Sequence, residues 1–192
     1  MEASAIQPDL TEAFPESLRS HVRKVLAVLP TSAQPRSPDD IGAITLHGKP
    51  LRIPARIYNP EPDWREIDSL PAVEQLVAAC LYTRHHDGYV RHRALERAIT
   101  IDEAWVAPFV LQFLGEYVLE LVTRVADVLT GPPRPAFVAF LRENPGFLVL
   151  TTQRATSYWN EYHRTQFWKC EDYPAFAALI TLRRWLSGDT AA

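Results

Sequence analysis

The sequence predicts a mainly α-helical protein in which antiparallel helix pairs stack behind a small N-terminal β-hairpin. Three observations predict it: apolar residues recur at three- and four-residue spacing from about residue 68 to the C-terminus, a short alternating stretch surrounds His47-Gly48, and proline is concentrated upstream. Nine of the 16 prolines lie between Pro8 and Pro62 and seven in the rest, so the N-terminal third is punctuated while the remainder is free to form helices. At 192 residues the chain has the size of one ordinary domain with an appendage. A hydrophobic share of 47% beside 22% charged residues is a globular mixture that supports one continuous core. The formal charge of -3 exerts no general pull on phosphate or an anionic membrane, which disfavours nucleic acid as the partner.

Leu18, Val22, Val25, Leu26 and Leu29 share one helical face, and Pro15 precedes them where a first-turn proline is tolerated. Residues 31–40 then gather proline, serine and aspartate and read as a linker, so 1–40 is an N-terminal helix with a Pro-rich tether and 41–192 is the helical domain. That domain opens with a hairpin at 41–60, in which Ile44 and Leu46 precede His47-Gly48 and Leu51, Ile53 and Ile57 follow. Pro50, Pro54 and Pro60 cannot donate to a ladder, so the ribbon belongs at an edge, as a lid or brace on a helical body.

Asp68 or Ser69 is positioned to cap a helix carrying Val73, Leu76, Val77, Cys80 and Leu81, which stops at His85-His86-Asp87-Gly88. Further helices are predicted through Tyr89 to Ala98, Trp105 to Leu114 and Tyr117 to Leu129, then at 135–142, 151–168 and 173–186. Asp87-Gly88-Tyr89-Val90 and Gly115-Glu116-Tyr117-Val118 look like corresponding corners of stacked helix pairs, 28 residues apart. The first, with Arg91, Ala94 and Leu95 after it, resembles the inter-helix corner of a HEAT repeat, in which an aspartate caps the second helix; the resemblance implies a HEAT-like stack with two recognisable units at most. Three longer strings resemble those of an uncharacterised bacterial protein family: Ile53-Pro54-Ala55-Arg56-Ile57-Tyr58-Asn59-Pro60-Glu61-Pro62, Tyr82-Thr83-Arg84-His85-His86-Asp87-Gly88-Tyr89-Val90-Arg91 and Ser157-Tyr158-Trp159-Asn160-Glu161-Tyr162-His163-Arg164. That resemblance implies no particular activity, substrate or catalytic residue.

Arg84-His85-His86-Asp87 sets imidazoles beside a carboxylate, the raw material of metal binding or general base chemistry. Adjacent histidines on a helix point about 100° apart, whereas ligand pairs sit at i and i+4, so the plainer expectation is that Asp87 caps the next helix and the histidines line an exposed corner. Arg84, Arg91, Arg93 and Arg97 make this corner basic, while 102–127 is acidic, and bridging between the two is the simplest use of both. The third grouping is Tyr158, Trp159, Tyr162, His163, Phe167 and Trp168, interleaved with Arg154, Arg164 and Lys169. Tyr158 with Tyr162, and Trp159 with His163, form two adjacent aromatic stripes, of which one can be core and the other is not easily so.

No nucleophile elbow, phosphate loop or metal-spaced cysteine pair is found, and Cys80 and Cys170 suggest no disulfide framework. No catalytic residue, metal ligand or cofactor is therefore assigned. The acidic N-terminus is unlike a secretory signal, and the most apolar stretch, 105–121, contains Pro108, Gln112, Glu116 and Glu120; a cytoplasmic protein without a membrane span is expected. The expected function is a macromolecule-binding adaptor with a protein partner, for which analogy of architecture suggests an accessory or toxin-neutralising role. Its partner-binding residues would be Arg84, His85, His86, Asp87, Arg91, Tyr158, Trp159, Tyr162 and Arg164. The competing expectations are a hydrolase or nucleic-acid-processing enzyme built on His85-His86-Asp87, and a structural subunit stable only in an assembly.

Overall fold

The computed structural model describes residues 9–32, 34 and 39–188; these are mainly helical, with one two-stranded antiparallel sheet. Of the linker predicted at 31–40, residues 33 and 35–38 lie outside the described residues. The chain divides into two compact units, one formed by 1–44 and 48–98 and the other by 45–47 and 99–192.

In the first unit, α1 (Arg19–Val28) turns Val22 and Val25 inward, with Leu29 buried behind them. It packs on α3 (Ala72–Tyr82), which packs in turn on α4 (Gly88–Ala98), so the residues flanking the Pro-rich segment belong to the same unit. Glu74, 2% exposed, reinforces the α1–α3 contact: its carboxylate takes His21 Nδ1 at 2.8 Å and stands 3.7 Å from Lys24 Nζ. Asp68 and Ser69 do not cap α3. They end a short helix the periodicity did not reveal, α2 (Trp64–Asp68), whose own cap is Asp63; α3 begins after Pro71. At the hairpin, β1 (Ile44–Leu46) and β2 (Lys49–Leu51) flank His47 and Gly48 with φ of 53° and 73°, the positive pair a type I′ turn requires.

The second unit is built around a segment with no wet face. Helix α5 (Ala107–Leu111) runs into a 3-10 turn, Gln112–Gly115, and residues 106–116 are all buried, as expected of a helix apolar on every side. Around it lie α6 (Leu119–Val128), α7 (Pro135–Glu143), α8 (Pro145–Tyr158) and α9 (Pro174–Ser187), with α9 touching the other three. Gly115 permits the closest approach: a Cβ there would lie 3.0 Å from the Arg154 Cβ and 3.3 Å from the Thr151 carbonyl oxygen on α8. Asn144, buried between α7 and α8, imitates a strand edge. Its Oδ1 accepts from the Thr45 N–H at 2.8 Å while its Nδ2 donates to the Thr45 carbonyl at 2.8 Å.

The two look-alike corners are not equivalent. Asp87 Oδ1 accepts from the Tyr89 N–H at 2.7 Å and α4 starts at once, whereas Gly115, the aligned residue, has no side chain to cap with and α6 starts only at Leu119. Among the described residues no helix is long and apolar enough to cross a membrane.

Candidate functional site

The corner at 82–91 is organised by the strap 53–61 that lies along it. With Pro54 and Pro60 in the strap, a regular ladder cannot form, and the strap's carbonyls need donors from elsewhere. One parallel bridge joins Ile57 to His85: the Ile57 N–H donates to the Arg84 carbonyl at 2.9 Å and the His86 N–H to the Ile57 carbonyl at 3.1 Å. Side chains supply the rest. Arg84 Nε donates to the Pro54 carbonyl at 3.1 Å and its Nη2 to that of Ala55, His85 Nε2 reaches the Asn59 carbonyl at 2.8 Å, and the Tyr82 hydroxyl reaches that of Pro60 at 2.8 Å. From below, Arg91 Nη1 donates to the carbonyls of His85 and His86 at 3.0 and 2.9 Å. Two of the strings behind the family resemblance therefore form one hydrogen-bonded substructure.

This arrangement corrects the surface expected here. Arg84, His85 and Arg91 are 2%, 3% and 1% exposed, so none of them can touch a partner, and the expectation of an exposed pair of histidines holds for His86 alone. The reason is chemical: the proline-bearing strap requires buried donors, which Arg84 and His85 supply, while Arg91 is drawn in beneath them to the carbonyls of His85 and His86. His85 is held in one tautomer. The Asn59 carbonyl only accepts, so Nε2 carries the hydrogen; the Asp87 N–H only donates, at 3.0 Å, so Nδ1 is bare. Burial keeps this imidazole below its ordinary value of 6.5, in the neutral form the bonds demand. Neither nitrogen is free to take a metal or a substrate proton. Asp87 is committed to the amides of Tyr89 and Val90, and the Tyr89 bond holds its carboxyl below the usual range. Exposed His86 stacks on Tyr58 at 5.3 Å between ring centroids.

The basic residues of α4 also face the strap side. Arg93 forks onto Glu61, with Nε at 2.6 Å from Oε1, and Arg97 pairs with Asp68 while its guanidinium lies 4.4 Å from the Trp64 ring centroid. The arginine pair is thus neutralised by Glu61 and Asp68, two carboxylates not considered as partners at the level of sequence. His92 lies 3.8 Å from Glu96, one turn along α4, and takes no part in the corner. Among the described residues no group of three or more histidine, cysteine or acidic side chains is placed to hold a metal ion.

In the second unit the end of α8 does the opposite. Thr151, Thr152 and Thr156 return their hydroxyls to carbonyls four residues back, which relaxes helical geometry, and α8 passes into a π turn, Trp159–His163. The two aromatic stripes separate as their spacing implies. On the inner stripe, buried His163 donates from Nε2 to the Tyr117 carbonyl at 2.9 Å and stacks on Tyr173 at 5.2 Å, and half-buried Trp159 donates from Nε1 to the Phe167 carbonyl at 2.8 Å. Tyr173 is fully buried, and desolvation pushes its phenol up to about 12. On the outer stripe, Tyr158 and Tyr162 meet Tyr117 in a triangle of rings with centroids 6.0 to 6.2 Å apart. Tyr117 is 48% exposed, Tyr162 61% and Trp168 76%. Arg164 stands 5.7 Å from the ring centroids of both Trp159 and Trp168 and donates to Asn160 Oδ1 at 3.1 Å.

Of the nine residues expected to bind a partner, the structure leaves His86 and Asp87 exposed in the first unit and Tyr158, Trp159, Tyr162 and Arg164 wholly or partly exposed in the second. Sequence reasoning missed Tyr117, which completes the tyrosine triangle from a loop far along the chain and leaves no local signal. Trp168, within the aromatic grouping of the sequence but outside the nine expected contacts, is the most exposed of its rings. Comparison of the chain with protein-family models, with curated proteins and with solved structures gives no match.

Proposed function

We propose that this chain is a macromolecule-binding module with a protein partner, that the aromatic turn at 158–168 together with Tyr117 is its contact surface, and that its helix pairs are layered in a HEAT-like manner. The single observation that carries the reading is the exposure of three large rings, Tyr117 and Tyr162 packed on each other and Trp168 beside Arg164. Tyrosine, tryptophan and arginine are the residues that concentrate binding energy at protein interfaces, and large rings left wet on a folded surface mark such places. The Asp87-capped α3–α4 pair supports the HEAT-like layering.

The test places a photo-crosslinking phenylalanine derivative at position 162 of the full chain in its native extract. A discrete protein adduct that disappears when Trp168→Ala and Tyr158→Ala are added, with unchanged circular dichroism, is the expected result. Adducts that are diffuse, or indifferent to those changes, would remove the aromatic turn from the function.

A further inference from the structure

A buried histidine with both nitrogens engaged by the backbone can act on the chain that surrounds it. His85 bridges two segments: Nε2 bonds the strap at Asn59, and Nδ1 accepts from the Asp87 N–H at the start of α4. A second proton would put a hydrogen on Nδ1, facing the amide hydrogen of Asp87, and that bond would become a donor–donor clash. We propose that protonation of His85 releases the strap 53–61 from the corner 82–91, making this contact an acid-opened latch.

The groups around the ring favour that outcome. From the end of α3, Tyr82 stacks on it at 5.8 Å and Arg84 adds a cation one residue away; from the corner, His86 lies 4.3 Å off by ring centroids. From α4, Arg91 is bonded to the His85 carbonyl, so a protonated ring would join two permanent guanidinium charges in a desolvated corner. The anions that could compensate are Glu61 of the strap and Asp87 of the corner, and both are engaged, Glu61 by Arg93 and Asp87 by the amides of Tyr89 and Val90. Tyr58 of the strap stacks on His86 and offers no charge. Once the strap lets go, the ring returns to water and its ordinary value of 6.5. A depressed histidine contributes stability that is complete above that value and is lost as pH falls from it through the folded value. For one proton taken up on opening, the opening equilibrium rises by up to about tenfold between pH ~7.5 and ~5.5.

Hydrogen exchange of the full chain, corrected for the intrinsic pH dependence of exchange, reads this directly at the amides of Ile57, His86 and Asp87. Their protection is expected to fall by up to about tenfold over that interval while Val25 in α1 shows no such fall, because Glu74, held below its ordinary value by the His21 bond, remains ionised there and keeps that bond. His85→Gln keeps a donor and an acceptor without the titration, and its three amides should show no pH trend. A flat wild-type profile, a matching fall at Val25, or the same fall in His85→Gln would overturn the latch. Should His85→Gln not fold, ring 15N shifts of the wild type replace it: a bare Nδ1 at neutral pH that protonates together with the loss of amide protection supports the latch, and protonation with the amides still protected refutes it.

Discussion

The corner at 82–91 and the turn at 158–168 look alike as strings, each mixing histidine, tyrosine and arginine, yet the first unit turns its set inward and the second turns much of its set outward. What separates them is the neighbouring backbone. Beside the corner runs a strap whose prolines leave carbonyls without ladder donors, so Tyr82, Arg84 and His85 are drawn in to supply them. Beside the aromatic turn, His163 and Trp159 meet the carbonyls of Tyr117 and Phe167, while Tyr158 is half-buried and Tyr162 and Trp168 stay exposed. A polar or aromatic cluster thus tells little about function until the unsatisfied backbone groups around it have been counted.

The comparison can be broken by substitution, beginning with the largest effect. Arg91→Ala removes a fully buried side chain and the donor to two carbonyls, and should cost on the order of 3 kcal/mol or more in urea unfolding; a loss below ~1 kcal/mol would mean the corner is not the structural element described. Asn144→Ala leaves the Thr45 N–H and carbonyl without the side chain that engages both, and should cost about 2 kcal/mol in the same assay, with no change in crosslinking at position 162. Gly115→Ala forces a methyl group against the Thr151 carbonyl and the Arg154 Cβ, an overpacking expected to cost ~1 to 3 kcal/mol. Smallest in stability and largest in function is Trp168→Ala: at 76% exposure it should shift unfolding by less than about 0.5 kcal/mol while abolishing partner capture. The reverse pattern, a destabilised protein that still captures, would exchange the roles assigned to the two regions.

Much of this was legible in the residues. The spacing Tyr158/Tyr162 against Trp159/His163 implied two stripes of unequal burial, and they part at Tyr162, which is exposed, and His163, which is buried, while Tyr158 and Trp159 are both half-buried; Asp87 read as a helix cap, and it is one. The His47-Gly48 pair read as a hairpin turn and adopts the positive φ values that turn requires. The burial of Arg84, His85 and Arg91 was not legible, because the groups that bury the first two, the carbonyls of Pro54, Ala55 and Asn59, lie 26 to 30 residues away along the chain. Nor was α2, whose five residues are too few to show a period. Tyr117 escaped for the same reason as the strap: its partners Tyr158 and Tyr162 are neighbours only after α6 to α8 have folded back on the central segment.

The sequence by itself determined the longer helices, the Asp87 cap and the inward face of each amphipathic stripe, since these follow from side-chain spacing of three or four residues and from hydrogen bonds to the nearest turn. Only the tertiary structure decided which polar residues became internal donors and which rings stayed wet. Those outcomes depend on pairing backbone groups distant in sequence, and a buried carbonyl accepts from whichever donor the fold brings to it.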